Sequence, residues 1–163
     1  MKHNAVFIAA WIATVLTGLN AGFFYTWSFT ITGSLDLIEP HHAISAMQSI
    51  NANIRSGWFA AIFFGSPLAL LVTAIAVFRS RGAVAALWWF CALLAMGITL
   101  VLTTQVHVPM NNALATAPDS AWIEYSTRWT QWNHLRTAAS TLALLLAIIG
   151  TARYQRVSVV GHN

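Results

Sequence analysis

The stretch WFAAIFFGSPLALLVTAIAVFRSRGAVAALWWFCALLAMGITLVLTTQV, residues 58–106, decides the fold. Two apolar runs, 58–78 and 83–106, flank the short polar hinge at Arg79–Gly82. A helix needs about 20 apolar residues to cross roughly 30 Å of hydrocarbon, and both runs satisfy that. So short a hinge makes the two helices antiparallel neighbours. Upstream, Ala5 to about Thr32 is interrupted only by Asn20 and hydroxyls. It is too long for the apolar core of a signal peptide and reads as a retained helix. Downstream, Thr137 to Ala152 forms a fourth run. At 1.5 Å per residue it supplies only about 24 Å of helix. Arg136 must therefore snorkel, enter the bundle interior, or sit where the bilayer thins. It is the most constrained charge in the chain.

The expected fold class is all-α: an integral membrane four-helix bundle in one domain, 1–163. Its spans fall at about 5–32, 58–78, 83–106 and 135–152. Two outer segments, about 33–57 and 107–134, each add a short helix.

Composition agrees. Charged residues are 7% of the chain and the mean hydropathy is +0.65, against about 25% charged residues in soluble domains. Lys2, Arg79, Arg81, Arg153 and Arg156 fall at the termini and the hinge. Asp36, Glu39, Asp119 and Glu124 fall in the other two segments, with Arg55, Arg128 and Arg136. Short cytoplasmic segments carry an excess of Lys and Arg. Both termini and the hinge are thus expected in the cytoplasm, across an inner membrane. The net charge of +4 comes from scattered residues, which argues against a nucleic-acid partner. Cys91 is alone, so neither an intrachain disulfide nor a CxxC site is available.

The outer segments carry the chemically versatile residues. Pro40 suits the first turn of a helix. In HHAISAMQSINANIR, residues 41–55, Ile44, Met47, Gln48, Asn51 and Arg55 fall on one broad face. Pro109 is expected to end the third helix, with Asn111 and Asn112 in a turn. Asp119 or Ser120 then caps a helix that runs into the fourth span. On it, Trp122, Tyr125, Trp129, Trp132, Asn133 and Arg136 make an aromatic wall carrying an amide and a guanidinium. His134 points about 140° from Arg136, taking 100° per residue. In the first span, Gly18, Ala21, Tyr25, Ser28 and Thr32 share a stripe, and Gly18 with Gly22 permits close helix approach. The two halves also look alike in outline, pairing Asn51/Arg55 with Asn133/Arg136.

Each of these features has a plainer reading. His41, His42, His107 and His134 lack HxxxH or HExxH spacing, so no metal ligands are assigned and the imidazoles read as solvent or interfacial. Trp and Tyr gather at membrane interfaces for amphipathic reasons alone. That does not account for Asn133 and Arg136 within the wall. These two could hold a flat oxygenated ligand or brace the outer helices. An intramembrane ionisable residue is a functional candidate by default.

Four motifs in order, GLNAGFFYTWS (18–28), AMQSINANI (46–54), HVPMNNAL (107–114) and RWTQWNHLRT (128–137), resemble the anthrone-oxygenase-like family of small four-span membrane proteins. Fungal relatives oxidise anthrones to anthraquinones with dioxygen and are regarded as needing no organic cofactor. The resemblance implies a membrane oxidoreductase acting on a hydrophobic phenolic aromatic, with dioxygen as co-substrate and no cofactor. The positions it implicates are Tyr25, Ser28, Gln48, Asn51, Asn111, Asn112, Trp129, Asn133, His134 and Arg136, beside Trp132 of the wall. Arg136 and Asn133 would stabilise an oxyanion, and His134 or Tyr25 would move the proton. The pocket is expected at the outer end, between the first and fourth spans. Two other readings stay open: a non-enzymatic membrane binding or assembly subunit, and a metal- or haem-binding redox protein.

Overall fold

The first apolar run forms α1 (Lys2–Thr26), a wide π-helical turn (Trp27–Ile31) and a last turn α2 (Thr32–Leu35). Then follow α3 (Pro40–Ser56), α4 (Trp58–Arg81) and α5 (Ala83–Leu102). A second π-helical turn (Thr103–His107) leads into α6 (Val108–Leu114). A 3-10 turn (Asp119–Ala121) starts α7 (Trp122–Val160). These elements come from a computed structural model that describes residues 2–160, with side chains for 4–155 other than Arg55 and Ser56. The side-chain expectations for Lys2, Arg55 and Arg156 lie outside the described residues.

Four helical stretches are long and apolar enough to cross a membrane: Asn4–Leu35, Trp58–Arg81, Ala83–Leu114 and Asp119–Gln155. The chain is a multi-pass integral membrane protein. Its outward surface is apolar, with Ile8, Val15, Leu68, Leu94, Leu142 and Leu145 all exposed, as hydrocarbon solvent permits.

The helices form a square. α1 packs on α4 and α7, and α5 packs on the same two. Gly82 alone joins α4 to α5, with φ of 81° and its N–H on Phe78 O at 2.9 Å. That positive φ is the conformation glycine adopts without penalty.

Small residues let the helices approach. Ala10, Ala13, Ala74, Ala86, Ala92, Ala143 and Ala147 are fully buried. Dispersion contacts, rather than water exclusion, hold helices together in lipid. Polar pins add to this: Asn20 Nδ2 donates to Ser66 Oγ at 2.8 Å, and the hydroxyls of Thr14 and Thr151 meet at 3.2 Å. The expected Gly18–Gly22 contact is only half made. A Cβ on Gly18 would meet Leu144 at 3.6 Å, but Gly22 faces open space. The tightest approach is at Gly150, where a Cβ would lie 2.9 Å from the Trp89 ring and 3.2 Å from Trp88 Cβ. The indole is rigid and fully buried. Gly150→Ala should therefore cost about 1–3 kcal/mol by overpacking, seen as a lower thermal midpoint in detergent.

Two sequence expectations change. Pro109 does not end the third helix: it sits at the start of α6, directly after a wide turn. A proline ring clashes with the carbonyl four residues back, and a widened turn makes room for it. Asn111 and Asn112 are consequently helical. The helix of the second outer segment runs on into the fourth span, as expected, forming α7. Its 39 residues span about 58 Å at 1.5 Å each. It continues past its apolar run, and Arg136 resolves its constraint by entering the interior, where it is 5% exposed.

At the end opposite the hinge, α3 and the α6–α7 connection lie over the bundle. Their apolar faces form one buried cluster of Trp27, Ala43, Ile44, Met47, Leu114, Trp122, Tyr125 and Trp129.

Candidate functional site

A cavity of about 230 Å³ lies beneath this cap. Phe23, Trp27, Phe59, Phe63 and Trp129 supply its aromatic walls, and Asn51, Thr103, His107, Asn111 and Arg136 supply its polar groups. Lipid-exposed Phe64 and Val108 also line it, so it reaches the outer surface beside α4 and the start of α6. It exceeds the roughly 150 Å³ of an engineered apolar cavity that takes benzene.

Arg136 enters from α7. Its Nε donates to Asn133 Oδ1 at 3.1 Å and its Nη1 to Thr103 Oγ1 at 3.2 Å. Its guanidinium carbon lies 4.6 Å from the Phe24 ring centroid and 5.1 Å from that of Trp129. All four acids of the chain are exposed. Among the described residues, Arg136 has no carboxylate partner. A buried cation normally has a counter-ion, because desolvating a charge costs several kcal/mol. Here only π faces and neutral oxygens offset that cost.

Asn133 holds the arginine in place. Its Nδ2 donates to Phe24 O at 2.9 Å and Ser28 Oγ at 2.7 Å. Thr137 Oγ1 donates to Asn133 O at 3.1 Å, so Ser28 supplies the proton of the 2.8 Å Ser28–Thr137 contact. Ser28 sits in the first wide turn, whose Trp27 carbonyl accepts from Thr32 Oγ1 at 3.1 Å.

A second network hangs on Asn111. Its Oδ1 accepts from Tyr125 Oη at 2.8 Å and Trp129 Nε1 at 2.9 Å, and its Nδ2 donates to Asn51 Oδ1 at 2.9 Å. The indole can only donate, which fixes the orientation of the amide. Asn51 Nδ2 is then buried beside Tyr125, with no hydrogen bond of ordinary geometry among the described residues. Gln48 Nε2 donates to Leu114 O at 3.1 Å, tying α3 to α6. Asn111→Leu would strand two donors and an acceptor. At about 1–3 kcal/mol for each stranded group, the thermal midpoint should fall by an amount matching at least about 3 kcal/mol. An unchanged midpoint would mean that the amide braces nothing.

His107 closes the site. It is 1% exposed, and its ring meets Trp129 edge-on at 5.0 Å between centroids. Its Nδ1 lies 3.1 Å from Leu102 O. A carbonyl only accepts, so Nδ1 carries the proton. The Trp129 backbone carbonyl is a second acceptor beside the ring, and Nε2 is buried without a hydrogen bond of ordinary geometry among the described residues. The histidine occupies the second wide turn, and such turns recur at functional sites.

The cavity thus gathers Arg136, Asn51, Asn111 and Trp129 of the sequence candidates, with Asn133, Ser28 and Gln48 supporting them from behind. Others stand apart. Tyr25 is 57% exposed and packs on Phe29 at 4.8 Å. His134 is exposed and packs on the same Phe29 ring at 5.2 Å. Trp132 is half-buried beside an outward groove with Arg128. Asn112 is exposed. Among the described residues, no group of three His, Cys, Asp or Glu is placed to hold a metal. Asn51 meets Asn111.

Residues 57–146 match the family model described as anthrone oxygenase. No curated protein and no solved structure matches the chain.

Proposed function

The chain belongs to the anthrone oxygenase family, and on that premise we propose that it oxidises a flat, hydrophobic phenolic aromatic with dioxygen inside the capped cavity. The observation that supports this most is Arg136, a buried cation without a carboxylate partner among the described residues, set against the aromatic walls. Such a site favours a ligand that becomes negative during reaction.

An anthrone does so. Loss of one methylene proton gives an enolate whose charge lies largely on oxygen. Arg136 stabilises that oxyanion, with Asn51 of the same cavity lining as a further donor. In this reading His107 takes the proton, in place of His134 and Tyr25, which are exposed and outside the cavity lining. The carbanion carbon passes one electron to dioxygen, and radical and superoxide combine in a C–O bond. The proton held on His107 completes the hydroperoxide. Loss of water, taking the second methylene hydrogen and the distal hydroxyl, leaves the quinone carbonyl. One anthrone and one dioxygen give one anthraquinone and one water. Every electron comes from substrate, so the proposal needs no organic cofactor.

Access from the bilayer suits such substrates, because exposed Phe64 and Val108 line the cavity. The basic excess at the termini and hinge supports a cytoplasmic placement of that end, with the site at the outer end of an inner-membrane protein. The test is anthrone consumption with stoichiometric oxygen uptake by the purified protein in detergent. A rate no greater than spontaneous autoxidation, across mono-, bi- and tricyclic phenolic substrates, would reject the reading.

A further inference from the structure

Among the described residues that line the cavity, Phe64 and Val108 are the exposed ones, at 62% and 41%. They belong to neighbouring helical columns: α4 packs on α5, and α5 continues through the second wide turn into α6. The mouth of the cavity therefore lies between α4 and the α5–α6 column. We propose that this mouth is a lateral portal through which a phenolic substrate enters from the bilayer, and that Phe64 is the gate residue limiting its passage. The proposal rests on the reading of the cavity as a phenol site.

Depth puts the mouth where such a molecule collects. Phe64 lies eighteen residues before Gly82, about 27 Å from the hinge at 1.5 Å per residue. That is within a hydrocarbon layer of roughly 30 Å. Trp58 is six residues further out and 88% exposed, where an aromatic anchor at the headgroups belongs. Val108 lies twenty-six residues after Gly82, about 39 Å along its own column. It follows exposed Thr104 and Gln105. The mouth thus crosses the boundary between acyl chains and headgroups. A hydrophobic phenol settles at that level for the reason Trp and Tyr do, with an apolar body and a polar tip.

The two sides of the mouth differ in chemistry. From α4 the cavity takes Phe59, Ala60, Phe63 and Phe64, all apolar. From the α5–α6 column it takes Thr103, His107 and Asn111, spaced by four and so on one face. A phenol entering here slides its rings along α4 with its oxygen toward the polar side, already turned toward Arg136. Phe64 stands at the threshold. Its ring meets Phe63 edge-on at 5.0 Å between centroids, and Phe63 is a buried part of the wall. The Phe64 ring thus leans on the wall while most of it faces lipid. The helix is also loosened at this level. Pro67 has no N–H to offer the Phe63 carbonyl four residues back, so the turn carrying both rings lacks one backbone hydrogen bond.

A gate and a wall differ kinetically. A side chain that bars passage raises the barrier to entry and to exit alike, whereas one that grips the ligand changes affinity. The experiment uses the full chain in lipid nanodiscs and 2-naphthol, a fluorescent phenol, with stopped-flow mixing and equilibrium titration. The saturable signal lost in Arg136→Met marks the cavity. Phe64→Ala should raise the association and dissociation rates together, each about fivefold, and leave Kd within about twofold. Phe64→Trp should lower both rates. Leu68→Ala, one turn away on α4, 61% exposed and outside the lining, should change neither. A Kd that moves with one rate alone would make Phe64 a wall contact and overturn the portal. Unchanged rates in both Phe64 variants would overturn it too, and move entry to the cap. No Arg136-dependent binding to the wild type would reject the cavity as a phenol site, and the portal with it. Gated binding without oxygen uptake would reject the oxidation and leave the portal standing.

Discussion

Replacing Arg136 by Met is expected to abolish turnover while leaving the protein folded. Loss of a single oxyanion-stabilising donor typically costs about 10²–10³ in kcat, and Arg136 is the charged side chain among the described residues that line the cavity. The stability effect should run differently. Removing the guanidinium forfeits its bonds to Asn133 Oδ1 and Thr103 Oγ1, at about 1 kcal/mol each. It also relieves several kcal/mol of charge desolvation that no carboxylate offsets. The thermal midpoint should therefore hold or rise as activity disappears. Arg136→Lys should retain part of the activity, because it keeps the charge but not the planar fork. Oxygen uptake and thermal unfolding on the same preparations decide the matter. If the Met variant unfolds many degrees earlier, the guanidinium serves mainly to brace the bundle. If it is stable and still turns over within twofold of wild type, the proposed chemistry is wrong.

The second large effect is expected at His107. Asn at this position can keep a side-chain donor near Leu102 O while removing the second imidazole nitrogen. Loss of a positioned general base lowers kcat by about 10²–10⁴, and His107→Asn should fall in that range with little change in thermal midpoint. Its residual rate should climb with pH, as hydroxide in solution takes over removal of the methylene proton. His134→Ala and Tyr25→Phe should stay within twofold, since both side chains lie outside the cavity. The reverse pattern, with His134 essential and His107 dispensable, would move the reaction to the lipid-facing side of α7. Rates measured against the spontaneous background at each pH separate these outcomes.

The sequence made the frame readable because the bilayer imposes it. Four apolar runs, a four-residue polar hinge and Pro40 at a helix start needed only lengths and periodicity. Arg136 and Asn133 were legible too, since a charge and an amide among aromatics have no ordinary reason to be there. His107 was missed for a physical reason. A proline two residues on is a normal helix stop, so reading a break at Pro109 cut His107 off from Asn111. In a continuous helix the two are four residues apart and share a face. The helix does continue, and both line the cavity. Tyr25 shows the limit of a stripe drawn by steps of three and four: Ala21, Ser28 and Thr32 on it are buried, whereas Tyr25 is 57% exposed. Pairing between segments distant in the chain, such as Asn51 with Asn111, leaves no local signal.

Each wide turn holds one residue more than an ordinary helical turn. The helix on either side keeps the alignment of an uninterrupted rod that is one residue shorter. The first span and the third each carry such an insertion, at Trp27–Ile31 and Thr103–His107. Chain length in this protein therefore does two separable jobs. The bulk of each span is sized to the bilayer, whereas a single supernumerary residue is spent locally, beside the cavity. When related chains are aligned, a one-residue gap at either place signifies the gain or loss of a site feature, with the membrane frame unaltered.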